Sequence, residues 1–112
     1  MQRAFVNLAE RWDITDEQAA VLMGDISVRT FRRWKVGDLG RAGVDTAARL
    51  SNLMGIHKAL RLLFNEPARG YAWIKRANDA FGGAAALEVM LGGNLTDLMR
   101  VRRYLDAMRS PW

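Results

Sequence analysis

No part of this chain alternates apolar and polar residues over a strand's length; its apolar residues recur every three or four positions instead. A period near 3.6 gathers such residues on one face of a helix, so the pattern predicts helices and no sheet. Phe5, Leu8 and Trp12 mark a first helix. Thr15-Asp16-Glu17-Gln18 has the form of a capping box, in which the Thr15 hydroxyl and the Gln18 side chain each satisfy the other's free amide. It opens a second helix that ends at Gly24. Ser27 suits the N-cap of a third helix reaching Val36, with Gly37 as its stop. Glycines at 37, 40 and 43 then predict a loop.

Asp45 is the expected cap of a long helix running to Phe64, with Leu50, Leu53, Met54, Ala59, Leu60, Leu63 and Phe64 on its inner side. Pro67 fits the first turn of the next helix, where its missing N–H costs nothing; that helix carries Tyr71, Trp73 and Ile74. Gly82-Gly83 breaks the chain, residues 84–91 form a short helix, Gly92-Gly93 breaks it again, and Asn94 caps the last helix. Leu95, Leu98, Val101, Leu105 and Met108 form the buried stripe of that helix. The expected fold class is all-α.

At 112 residues the chain holds one domain, or two small lobes sharing one core. It has no cysteine, which removes disulfides and thiolate metal sites, and one histidine, His57, expected to be satisfied or to face solvent. The glycine pairs lack the strand-then-helix setting of a dinucleotide site. Asp13, Asp16 and Glu17 cluster where acids favour a helix N-terminus. These features predict no enzyme, no cofactor and no metal. No apolar run approaches the roughly 18 residues that span a bilayer, and no secretion signal is evident, so a cytoplasmic protein without membrane contact is expected.

The formal charge is +5, and its distribution says more than its sum. Arg29, Arg32, Arg33, Lys35 and Arg41 share a stretch whose one acid is Asp38. Residues 15–35 have the layout of a helix-turn-helix: a small-residue first helix with Ala19 and Ala20, a turn at Gly24, and a third helix held by Phe31 and Trp34, with Ile26 joining them from the turn. Arg29, Arg32 and Arg33 fall on the opposite side, where a recognition helix contacts phosphates and base edges. Ser27 and Thr30 at the helix start, with Lys35 at its end, complete the expected DNA-binding set. Asp25 makes the turn one residue longer than is usual.

The C-terminal half carries a second pattern. Trp73-Ile74, Asn78, Phe81-Gly82-Gly83, Leu87 and Gly92, followed by Val101-Arg102 and Tyr104-Leu105-Asp106-Ala107, resemble the toxin-binding domain of the Xre–MbcA–ParS antitoxins. The helix-turn-helix upstream is similar to the Xre-like half of the same family, so the resemblance covers nearly the whole chain. Ala86 departs from it, standing where the family typically has a proline. The resemblance implies a helix-turn-helix bundle in residues 1–48 and a small helical toxin-binding lobe in residues 49–112. It also implies a partner: a RES-domain toxin that degrades NAD or transfers ADP-ribose, silenced by obstruction of its NAD site. Promoter DNA of the antitoxin's own operon is the second partner, bound as a homodimer or a larger toxin–antitoxin assembly.

Trp112, presented on Pro111 after a helix, is a stiff apolar anchor with little entropy to lose on insertion. The resemblance places inhibition at the end of the lobe, so Arg102, Arg103, Arg109, Ser110, Pro111 and Trp112 are the expected toxin contacts. The alternatives are a solvated face for Arg102 and Arg103 and a Trp112 folded back onto its own lobe. Trp73 and Phe81 are expected in the lobe's core. Tyr104 is divided between core and interface. Two other readings fit the same residues: a stand-alone repressor whose C-terminal lobe serves dimerisation, and an antitoxin that no longer binds DNA.

Overall fold

The computed structural model describes residues 1–24 and 26–109. Within them the chain forms seven α-helices: α1 (Gln2–Arg11), α2 (Asp16–Leu22), α3 (Val28–Lys35), α4 (Val44–Leu63), α5 (Pro67–Trp73), α6 (Ala86–Met90) and α7 (Leu95–Arg109). A 3-10 turn, Asp79–Phe81, lies between α5 and α6. Among the described residues there is no strand, only an isolated antiparallel bridge between Ala77 and Ala85. No described helix is long and apolar enough to cross a membrane.

Local chemistry sets most of the helix boundaries. At the start of α2 the Thr15 hydroxyl accepts from the Gln18 N–H at 3.1 Å, and Gln18 Oε1 accepts from the Thr15 N–H at 2.9 Å. The capping box is thus fully formed. Ser27 caps α3 by accepting from the Thr30 N–H at 3.0 Å, and Pro67 opens α5.

One expected cap is corrected, and at a second the position holds but the side-chain bond differs. Gly43, not Asp45, is the N-cap of α4; Asp45 sits in the first turn, where its carboxylate is engaged by Arg49 at 2.8 Å. At α7 the side-chain bond runs the other way from the expected one, with Asp97 Oδ2 accepting from the Asn94 N–H at 3.1 Å. The short helix α6 is also narrower than the expected residues 84–91, because residues 84 and 85 remain extended to pair with the chain before the 3-10 turn.

The core is continuous through the molecule. Phe5, Trp12, Leu22, Phe31 and Trp34 from the first three helices pack in one cluster with Leu50, Leu53, Ile56 and Leu60 of α4, and onward to Ile74, Phe81, Met90, Leu98, Val101 and Leu105. α4 lies along α7 and also meets α1 and α5, while α2 packs on α3 and α6 on α7. The expected division after residue 48 falls inside α4, whose inner face serves both halves. Ile56, absent from the expected inner side, is fully buried, and Met54, Leu63 and Phe64 are only partly so. The α7 stripe is buried at Leu98, Val101 and Leu105 but not at Met108, which is 44% exposed on the last turn.

Candidate functional site

The α2–α3 pair is built as the sequence predicts. Phe31 and Trp34 are buried, with ring centroids 6.4 Å apart, and Phe31 meets Phe5 of α1 edge-on at 5.7 Å. Anchored this way, α3 turns Arg29, Arg32 and Arg33 outward, and all three are exposed. Ser27 and Thr30 stand at the head of the helix, their hydroxyls 3.1 Å apart. Val36, just past the helix, is 83% exposed beside the arginines.

The basic residues are not equivalent. Asp16, in the first turn of α2, accepts from Arg32 Nε and from Lys35 Nζ, each at 3.0 Å. Arg32 also lies 3.7 Å from Glu17, and Arg33 Nε lies 3.6 Å from Asp38. Hydrogen bonds from Arg32 and then Lys35 hold the Asp16 carboxyl below the ordinary carboxylate range. Arg32 and Lys35 therefore already serve as a clamp between α2 and α3, whereas Arg29 and Arg33 sit on the outward side of the helix. Asp25, the extra turn residue, lies outside the described residues.

Arg49 was not among the expected site residues. It is buried, 7% exposed, and donates from Nη1 to the Leu22 carbonyl at 3.3 Å while Asp45 accepts from its Nε. A cation thereby closes the C-terminal end of α2, where unsatisfied carbonyls concentrate negative charge. Its place on the stripe with Thr46, Leu50 and Leu53 was a usable sequence signal. Lys75 ties the C-terminal part to the first helices, donating to the Asp13 carbonyl at 3.1 Å.

In the C-terminal half, Asn78 organises the turn between α5 and α6. Its side-chain oxygen accepts from the Ala80 N–H at 2.9 Å, its carbonyl accepts from Phe81 and Gly83 at 3.0 Å, and its own N–H donates to Ala84 at 3.1 Å. Gly82 and Gly83 close that turn at φ of 66° and 92°, in the left-handed region that side chains disfavour. Phe81 is buried and Trp73 half-buried. Tyr104 links them, stacking on Trp73 at 6.1 Å and meeting Phe81 edge-on at 5.2 Å. Arg100 covers the Phe81 ring with its guanidinium 5.3 Å from the centroid. Tyr104 thus packs on its own lobe while its edge borders an open cavity of about 340 Å³ with Trp73, Arg76 and Asn78.

The expected toxin contacts are described as far as residue 109. Arg103 and Arg109 are exposed and Arg102 is half-buried. Asp106 lies between two of them, 3.8 Å from Arg102 Nε and 3.4 Å from Arg109 Nη1. Ser110, Pro111 and Trp112 lie outside the described residues.

His57, expected to be satisfied or to face solvent, borders an open cavity beside Arg11 and Met54. It is half-buried, stacks on Tyr71 at 6.4 Å, and its Nδ1 is buried without a hydrogen-bond partner among the described residues. Burial, and then the charges of Arg61 and Arg11, push its imidazole below the ordinary value. The described residues contain no group of three or more His, Cys, Asp or Glu placed to hold a metal ion.

Comparison with known proteins finds two family models that match this chain. Residues 1–55 match the model of the antitoxin Xre-like helix-turn-helix domain. Residues 59–110 match that of the antitoxin Xre/MbcA/ParS C-terminal toxin-binding domain. The chain is also 44% identical over 106 residues to the uncharacterized protein y4oB of Sinorhizobium fredii (strain NBRC 101917 / NGR234), an alignment covering 95% of this chain and 81% of that protein.

Proposed function

The chain belongs to the Xre/MbcA/ParS antitoxins, and from that premise we propose that it silences a RES-domain toxin by obstructing its NAD site. The observation that carries this reading is the order of the two matched domains, 1–55 and 59–110, which leaves little of the chain unaccounted for. A DNA-binding unit joined to a toxin-binding unit is the composition of an antitoxin that also regulates its own operon. We place the division of labour near residue 48, with α3 in the major groove of promoter DNA and α7 against the toxin.

On the DNA side, Arg29 and Arg33 are the readers, because a planar guanidinium can bond guanine O6 and N7 together or a phosphate. Ser27 and Thr30 contact phosphate at the helix start. Arg32 and Lys35 fix the angle of α3 through Asp16 and add long-range attraction. A two-fold assembly would present two such helices to half-sites about one helical turn apart, or a multiple of it. On the toxin side, Arg102, Arg103 and Arg109 lead into residues 110–112, and Trp112 enters the NAD cleft.

Co-expression with the product of the neighbouring gene, expected to carry a RES domain, tests the proposal. The full chain is expected to co-purify with that protein and keep cellular NAD at its normal level. Removal of Pro111 and Trp112 is expected to let NAD fall while the complex still forms. Promoter binding without any toxin complex would establish the stand-alone repressor instead.

A further inference from the structure

We infer that the groove between α4 and α7 at Gly55 is a seat for carboxylate side chains of the partner protein, with Arg102 as its anchor. The inference rests on the toxin-binding reading above and names the chemistry that such a partner presents.

The starting point is an anomaly. Gly55 stands in the interior of α4, where glycine is the poorest helix former after proline. Its backbone is ordinary helix, so no unusual dihedral requires it. The requirement is space. A Cβ at position 55 would stand 2.5 Å from both Cζ and Nε of Arg102 and 3.0 Å from its Nη2. The guanidinium of Arg102 therefore lies directly on the α4 backbone, in a notch that any larger residue would close.

Around that notch Lys58, Arg102, Asp106 and Arg109 line a cavity of about 340 Å³. Three cations share it with a single carboxylate. Asp106 lies within 4 Å of two of them, so it steers the two guanidinium groups without neutralising the groove. An Arg fork held flat against a helix is preorganised: less side-chain freedom is lost when it engages a carboxylate with two parallel hydrogen bonds. Lys58 adds a point charge at the rim. The charge balance selects an acidic segment of a protein partner, and the half-buried setting of Arg102 makes each bond stronger than a fully solvated pair.

Gly55→Ala separates this role from a purely structural one. The clashing atoms belong to the far end of a flexible side chain, so the substitution displaces the Arg102 guanidinium and leaves the backbone in place. The product of the neighbouring gene, expected to carry a RES domain, is titrated with the full-length wild type, Gly55→Ala and Arg102→Gln at two salt concentrations, alongside thermal melts and promoter-DNA binding. Gly55→Ala is expected to weaken the toxin complex about tenfold with an unchanged or higher Tm. Arg102→Gln should weaken it at least as much and flatten its salt dependence, and promoter binding should stay the same for both. Wild-type affinity in both variants overturns the seat while leaving the antitoxin reading intact. Loss of DNA binding in place of toxin binding overturns it in favour of a phosphate site, and failure of the wild type to bind the neighbouring gene's product overturns both proposals.

Discussion

The two basic faces of this molecule draw their acids from different places. On α3, Arg32 and Lys35 meet Asp16 of α2, and Arg33 meets Asp38 of the following loop, so each neutralising group comes from another element. On α7, Arg102 and Arg109 meet Asp106 of the same helix, one turn away. An acid on a neighbouring helix ties the two helices together at the surface. An acid on the same helix makes no such tie and only steers side chains. The third helix is thus tied to α2 with part of its charge already engaged, while the acid of α7 steers cations without tying that helix to a neighbour.

The sharpest way to break this comparison is to remove the outward cations of α3. Replacing Arg29 and Arg33 with Ala should weaken promoter binding by about 1–3 kcal/mol per residue, with toxin binding unchanged. A filter-binding or anisotropy titration over several salt concentrations checks it, since lost phosphate contacts reduce the salt slope. Next in size is Arg49→Ala, which removes the Arg49 bond to the Leu22 carbonyl at the end of α2 and should cost about 2 kcal/mol of stability in a denaturant titration. Asp45, being partly exposed, can rehydrate, so the full penalty of a broken buried pair does not apply.

A smaller effect sharpens the contrast directly. Asp16→Asn should release Arg32 and Lys35 and tighten promoter binding at low salt about threefold, with a steeper salt dependence. Weaker binding would show that the clamp's control of helix angle outweighs the charge it holds back. The pH dependence is the smallest. The folded Asp16 carboxyl lies below its unfolded value of about 3.9. Its contribution to stability is therefore complete above that value and is lost as pH falls through the lowered one. His57 behaves likewise around imidazole's ordinary value of about 6.5, because its folded form binds protons less readily. Stability should fall slightly as pH drops below that value, and His57→Gln should remove that part of the slope in melts taken from pH 7.5 to 5.5.

What the sequence could and could not reveal follows from the range of the interactions. Capping at Thr15 and Ser27, the left-handed turn at Gly82-Gly83, and the stripe of α7 act within a few residues, and all are legible as local patterns. The Asp16 clamp spans 16 and 19 positions, and the Arg49 bond to Leu22 spans 27. No spacing rule connects residues so far apart. Gly55 was invisible for a related reason, because its partner Arg102 is brought to it only by the packing of α7 on α4. Met108 failed differently: it keeps the period of the stripe, but the last turn of α7 runs past the core. For the candidate site, the outward arginines of α3 were readable from helical phase, but the pairing of Arg32 and Lys35 with Asp16 was not.

The inner face of α4 is shared, and this binds the fate of one surface to that of the other. Because Leu50, Leu53, Ile56 and Leu60 belong to a single cluster with residues of α1, α3 and α7, neither half can melt without exposing apolar surface of its neighbour. A partner that binds α7 raises the free energy of unfolding for α3 as well, by mass action and without any change of shape. Under the proposed division of labour, occupancy of α7 by toxin would then lengthen the lifetime of the α3 surface wherever unfolded chains are destroyed, so the amount of repressor would report the amount of toxin held in check.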